Sequence, residues 1–317
     1  MNNEKKQNQL HLPPLEEISK GKGAWGFRGI FFFCLFTVSF PLHAQLLWKI
    51  EGKGLSKPSY LFGTHHLIPV SFLDKVPNVF QAFNESETVI GEVVMYNIEA
   101  SEKIMQAAML PQGITMENLL TADDWAFVDM ELKTTMKMGL RELGLMHPTM
   151  INVLYMKELY KKTAEFTENV SIDSYFQTLA MRKDKKVVGL ETIDQQIEAL
   201  FGSNNLQHEA DLLVKIIRRR DEAITNIKEV DRLYKAGKIE KLVEMAKNQN
   251  SPVGMSDEEY MRITDNRNRA WAKILPDLIH ASPSFIAVGA LHLGGENGLI
   301  NLLRQQGFKV TAVKRRP

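Results

Sequence analysis

The chain has 317 residues, 44% of them apolar and 24% charged, and a formal net charge of +1. This is ordinary globular composition, long enough for one large domain or two modest ones. The near-zero charge argues against nucleic acid or an anionic surface as partner.

Residues 1–28 are polar and carry Lys5, Lys6, Lys20, Lys22 and Arg28; residues 29–40 are almost wholly apolar, and small or polar residues follow up to Ala44 and Gln45. A basic region, a short apolar core and a small residue at the cut are the parts of a secretory signal peptide, with cleavage expected after Ala44. The apolar run is short for a membrane span; an uncleaved anchor is the alternative. The expected organisation is therefore an unstructured n-region plus signal peptide over 1–44 and a single domain over 45–317. The one cysteine, Cys34, lies in the leader and lacks the small residues that precede a lipoprotein cleavage site. The mature chain then has no disulfide, no thiolate nucleophile and no cysteine metal ligand. With 34 basic and 35 acidic side chains left after position 44, its charge is −1. An exported, soluble protein follows, periplasmic or secreted and without a stable membrane anchor.

The mature chain opens with strands at Leu46–Glu51 and Ser59–Gly63, joined by a stretch rich in Gly, Lys and Pro that reads as a hairpin-type connection. A short helix over Val76–Phe83 precedes a third strand, Thr88–Val94, apolar enough to be buried on both faces. From about 97 to 184 the pattern is helical. Thr121–Asp124 resembles a capping box for a helix through Met136, Pro148 suits the first turn of another to about Lys161, and Ser171–Arg182 forms a third. A strand at Lys186–Glu191 is followed by helices over 192–279, including Tyr260–His280 after a capping box at Ser256–Glu259. The chain closes with strand Phe285–Val288, helix Gly295–Gln306 and strand Phe308–Val313. Strands at both ends and in the middle predict an α/β fold: a central mixed sheet from the N- and C-terminal segments, with large helical insertions.

Two strands end alike, in Gly63-Thr64-His65-His66 and in Gly289-Ala290-Leu291-His292, each histidine being followed by Leu. Glycine at a strand end permits a sharp turn, and open α/β sheets place their sites at such rims. Two imidazoles brought together there suit a metal or acid–base work; capping of a strand by hydrogen bonding is the plainer alternative. His65 points to the other face in strand geometry and is the weaker ligand candidate. Glu92 stands in a near-continuous apolar run, where a carboxylate requires a metal, a strong donor or a buried arginine as partner. Two His and one Glu form a ligand set for zinc, manganese or cobalt with one position open. Glu191 ends its strand as a candidate base, orienting group or helix cap. Arg267 is a candidate for binding a carboxylate, stabilising an oxyanion or pairing with Glu92, although Arg262 and Arg269 share its stretch and spacing does not choose among them.

Trp48-Lys49-Ile50, Ser59–Leu67, Gly189-Leu190-Glu191-Thr192, Arg267-Asn268 with Trp271, and Phe285–Leu293 with Gly294 and Gly298 resemble, in order and spacing, the TraB/GumN family, which includes the TIKI proteases. The resemblance spans essentially the whole mature chain. It implies an α/β fold related to the erythromycin-esterase and ChaN-like proteins. TIKI members are metal-dependent proteases with two Gly-x-x-His motifs and a glutamate, favouring manganese or cobalt. Carried onto this chain, the metal residues are His66, His292 and Glu92, and the catalytic candidates are Glu92, Glu191 and Arg267. His65 departs from the family pattern, which commonly has an aliphatic residue before the histidine. The expected function is an exported metal-dependent hydrolase, a peptidase, acting on a peptide or protein. Two alternatives stand beside it: a non-catalytic metal- or haem-binding protein, and a metal-free hydrolase with histidine as general base.

Overall fold

The computed structural model describes residues 45–96, 98–164, 170–203 and 205–314; the leader reading of 1–44 lies outside the described residues. Six strands make one mixed sheet: β1 (Leu47–Glu51), β2 (Ser59–Thr64), β3 (Thr88–Gly91), β4 (Lys186–Gly189), β5 (Ser284–Gly289) and β6 (Lys309–Ala312). Their order is β4-β3-β5-β2-β1-β6. The four strands β4, β3, β5 and β2 are parallel, and β1 runs antiparallel to both β2 and β6. The N- and C-terminal segments thus share the sheet, and two long helical stretches, 98–182 and 193–281, separate its halves.

The strand and helix positions follow the sequence pattern, but the fourth strand ends at Gly189 rather than at Glu191, and three further differences bear on the site. The third strand ends at Gly91, not at Val94. Beyond it the backbone leaves the ladder because the Gln177 amide takes over its hydrogen bonds: Nε2 donates to the Val93 carbonyl at 2.8 Å, and Oε1 accepts from the Met95 N–H at 3.0 Å. Glu92 is therefore at a strand end rather than inside a strand. The helix expected over Tyr260–His280 is broken by a π-turn at Met261–Asp265, between Asp257–Tyr260 and Asn266–Ala281. Single π-turns inside helices recur at functional sites because they re-aim the side chains that follow. The last helix begins at Leu299, after a turn in which Gly295 has φ of +80°.

The sheet's apolar strands pack against a cluster of fully buried rings, Phe62, Phe83, Phe176 and Phe285, with centroids 4.7–5.9 Å apart. Such pairs add about 0.5–1.5 kcal/mol each beyond area burial. Phe176, with Ile172 and Ala180, forms the buried stripe of helix Ile172–Arg182, capped by the Ser171 hydroxyl. Seating this stripe on β2, β3 and β5 brings Asp173 and Gln177, one residue further round the helix, over the strand ends. Among the described residues no helix is long and apolar enough to cross a membrane.

Candidate functional site

Because β4, β3, β5 and β2 are parallel, their C-terminal ends share one edge, where ligands of open α/β sheets bind. Each strand carries glycine at or next to its last position, and each is followed within three residues by a chemical group: Glu191 after Gly189, Glu92 after Gly91, His292 after Gly289 and His66 after Gly63. The motif glycines are not there to turn the chain. Neither Gly63 nor Gly289 has positive φ. They make room. A Cβ on Gly63 would lie 3.1–3.2 Å from Leu293 and Ala290, and one on Gly289 would lie 3.3 Å from a Glu92 oxygen. The two histidine motifs pass too close for a side chain between them.

Arg267 ties three of these groups together. Its Nε and Nη2 donate to the two oxygens of Glu191 at 3.0 and 2.6 Å, and Nη2 also donates to Glu92 Oε2 at 2.6 Å. Its Nη1 donates to the Ile263 carbonyl at 3.0 Å and faces His292 Nε2 at 3.2 Å. All five guanidinium N–H groups are thereby used. The plane stacks on Trp271, whose indole N–H also reaches Glu191 at 3.2 Å. The other Glu92 oxygen accepts the Gly289 N–H at 2.8 Å. Burial works to raise the Glu92 pKa, but the positive charges of its neighbours hold it down to about 2. The largest of these is the charge of His292, which that ring carries only as the pH falls toward 4; near neutral pH Arg267 and His66 are the cations beside Glu92.

His292 accepts from Arg267 at Nε2, so its proton is on Nδ1, which donates to Asn268 Oδ1 at 2.8 Å. Asn268 in turn donates Nδ2 to the Asn297 carbonyl, which sets its amide orientation. Burial first, with Arg267 assisting against the pull of Glu92, lowers the His292 pKa to about 4 and keeps the ring neutral. His66 has the opposite setting. Its Nδ1 lies 2.8 Å from Asp173 Oδ2, and the other Asp173 oxygen accepts the Thr64 hydroxyl at 2.6 Å. The Asp173 charge, against burial, raises the His66 pKa to about 9. Two-thirds of the His66 side chain is accessible from the cavity, so solvent screens part of this pairing. His65 packs against Tyr160 and Tyr234 and accepts the Leu67 N–H at Nδ1; burial lowers its pKa to about 4.

These groups open on a cavity of about 640 Å³, lined by His66, Glu92, Asp173, Arg267 and His292. Glu191 is not in its wall; it lies behind Arg267, 5% exposed. Sequence reasoning missed Asp173 and Gln177, and gave Asn268 no role beyond its place in the motif with Arg267. Asn268 is adjacent to Arg267 in the chain, but Asp173 and Gln177 lie on a helix whose pattern shows only its core stripe. The donor chemistry fits a divalent metal: both histidines line the cavity and anchor Nδ1 on an oxygen acceptor, which leaves Nε2 as the ligating atom once His66 has given up its proton. Glu92 Oε1 lies 3.8 Å from His292 Nε2, and these two residues with His66 would hold such an ion. As they stand, no three His, Cys, Asp or Glu side chains among the described residues converge as a metal cage, and the Arg267 guanidinium fills the space between Glu92 and His292.

The model of the TraB/PrgY/gumN family matches residues 46–312. Among curated proteins, the metalloprotease TIKI1 of Xenopus tropicalis is 23% identical, the match covering 84% of this chain and 61% of the relative. The metalloprotease TIKI2 of Danio rerio is 22% identical over 84% of this chain and 60% of its own. The chain thus spans about three fifths of the length of these relatives. No solved structure matches it.

Proposed function

Because the chain belongs to the TraB/PrgY/gumN family, we propose that it is a metal-dependent hydrolase, a peptidase, working at the shared strand edge. The observation that carries this reading is the pair of cavity-lining histidines, His66 and His292, each anchored through Nδ1, with Glu92 beside His292. The metalloprotease names of TIKI1 and TIKI2 support it. His66, His292 and Glu92 would hold the ion: manganese, cobalt or zinc. The chemistry a divalent ion supplies in such a site is polarisation of a carbonyl and activation of water at neutral pH.

The chain's own residues divide the remaining work. Arg267 offers a cation to the oxyanion that develops as an amide carbonyl becomes tetrahedral. Glu191 grips that guanidinium with both oxygens from behind, so it acts through Arg267 as a positioning residue. Asp173 fixes the His66 ring through Nδ1, and Asn268 does the same for His292. The mostly apolar wall of the cavity limits water around the reacting bond.

A metal-free hydrolase is the second reading, favoured by the complete engagement of Arg267 with Glu92, Glu191 and His292. There His66 and Asp173 would serve as the acid–base pair. The deciding experiment is cleavage of a mixed unfolded-peptide library by purified protein, chelated and then resupplied with manganese, cobalt or zinc. Cleavage restored by metal and abolished in both His66→Ala and His292→Ala supports the first reading. Cleavage that survives chelation supports the second, and none from folded protein leaves a binding role. The leader-like pattern of residues 1–44 supports export to the periplasm or beyond. Fractionation of cells expressing a C-terminally tagged chain tests this, and a cytoplasmic product of full length would refute it.

A further inference from the structure

The cavity has two unlike sides. The strand edge, Asp173 and Arg267 supply its charged groups, whereas the remaining helical residues between β3 and β5 supply an apolar wall. Met156, Leu200, Val230 and Met245 come from four separate helices, and Met255 from the segment after them. None of these five is fully buried, and Leu200 is 38% exposed. A concave apolar surface left open to water is a ligand site rather than core. Methionine at three of the five positions, with Met95 opposite, makes the wall deformable, able to receive large apolar groups of differing shape.

Two side-chain amides interrupt this wall. Asn226 donates Nδ2 to Ser251 Oγ at 3.1 Å, and its Oδ1 has no partner among the described residues. Gln196 directs Nε2 toward Glu92 at 3.5 Å, and its Oε1 is likewise unpartnered among them. An acyl chain would leave both acceptors without a hydrogen bond, whereas an extended peptide presents backbone N–H groups to them.

We propose that this wall is a subsite for an extended peptide segment with large unbranched or aliphatic side chains such as Met and Leu. The side chains occupy the Met-rich surface, and backbone N–H groups are received by Asn226 and Gln196. The choice of a peptide rests on the peptidase reading; the apolar specificity rests on the wall. The subsite selects residues flanking the bond presented to His66, His292 and Arg267.

The test is equilibrium binding, so that it stands apart from turnover. Chelator-treated full-length protein is titrated calorimetrically with acetyl-Leu-Met-Leu-amide, acetyl-Ser-Asn-Ser-amide and decanoate. The apolar tripeptide is expected to bind at least about tenfold more tightly than the polar one. Leu200→Asp and Met245→Asp should each weaken it by about tenfold or more, with Tm within about 2 °C of wild type, while Met245→Leu retains it. Asn226→Ala should weaken the peptide about three- to tenfold and leave decanoate unchanged. Equal binding of the two tripeptides, or no binding of either, overturns the proposal. So does decanoate binding more tightly than the apolar peptide, which would mark an acyl-chain pocket. Two aspartate variants allow for one that fails to fold. Absence of cleavage in the library assay would remove the hydrolase reading without altering these binding results.

Discussion

Replacing Arg267 by Met removes the one cation that joins two buried carboxylates, Glu92 at 12% and Glu191 at 5% side-chain exposure. The magnitude can be worked from Glu92 alone. Its pKa of about 2 against an ordinary 4.5 corresponds to about 3 kcal/mol of stability at neutral pH. The charge of His292 contributes most to that depression, and His66 and the Gly289 N–H share in it beside Arg267, but Glu191 loses its partner as well. Leaving a buried charge unpaired costs about 3–5 kcal/mol, so we expect a loss in that range at pH 7.5. For a domain of this size that is a fall in Tm of roughly 10 °C. The sign with pH follows from the depressed pKa. In wild type the Glu92 contribution is complete above pH 4.5 and is lost as the pH falls toward 2. In Arg267→Met the unpaired Glu92 carboxylate takes up a proton at higher pH instead, so the penalty is greatest near neutrality and shrinks toward pH 5. The assay is urea and thermal unfolding of chelator-treated wild type and variant at pH 7.5 and 5.0. Arg267→Lys should fall between them, because an ammonium keeps the charge but cannot fork onto both carboxylates. A loss below about 1 kcal/mol, or the same loss at both pH values, would refute the argument that Arg267 neutralises a buried pair.

Three further outcomes are expected. Asp173→Asn should return the His66 pKa from about 9 toward 6.5, read by NMR titration of the ring, and reduce metal affinity about 10–100-fold; an unmoved titration would remove Asp173 from its role. Gly63→Ala should destabilise the fold by about 1–3 kcal/mol in urea unfolding, because its Cβ meets Leu293 and Ala290 at 3.1–3.2 Å; unchanged stability would show that the two motifs have slack between them. His65→Phe should leave metal binding near the wild-type level in the calorimeter while His66→Ala abolishes it, since His65 packs between two tyrosines and a ring replaces a ring; equal losses would move the ligand by one residue.

The α/β architecture was legible because strands and helices differ in period, and because the two Gly-x-x-His segments mark both ends of one sheet. The pairing of β2 with β5 places Gly63 opposite Val288 and Thr64 opposite Gly289, so the repeated motif is two adjacent strand ends. What the pattern concealed was the extent of that series. Gly91-Glu92 and Gly189-Leu190-Glu191 end the next two parallel strands in the same manner, but Val93 and Val94 extend the apolar run past Glu92 and disguise the strand end. Asp173 and Gln177 were hidden for a different reason: on a helix surface a polar residue beside the core stripe looks solvated, and only the packing of Phe176 turns it inward. The buried-arginine alternative for Glu92 holds in this arrangement. The carboxylate's requirement for a partner was readable, whereas the choice of Arg267 over Arg262 and Arg269 follows from the π-turn just before it.

The saturation of Arg267 bears on how the site takes a ligand. Five donors meet five acceptors, so an incoming oxygen can be received only by giving up one existing bond. The two carboxylate bonds at 2.6 Å are charge-assisted and short, and the Nε bond to Glu191 completes a bidentate fork. The contact between Nη1 and His292 Nε2, at 3.2 Å, is the longest of the five and joins a cation to a neutral ring. It is therefore the first to yield. Its loss frees, in one step, a guanidinium N–H facing the cavity and the lone pair of a histidine whose other nitrogen stays bound to Asn268. The guanidinium N–H and the imidazole lone pair that the metal-dependent reading uses are thus held by each other until a ligand separates them, and Glu191 keeps the guanidinium in place while that happens.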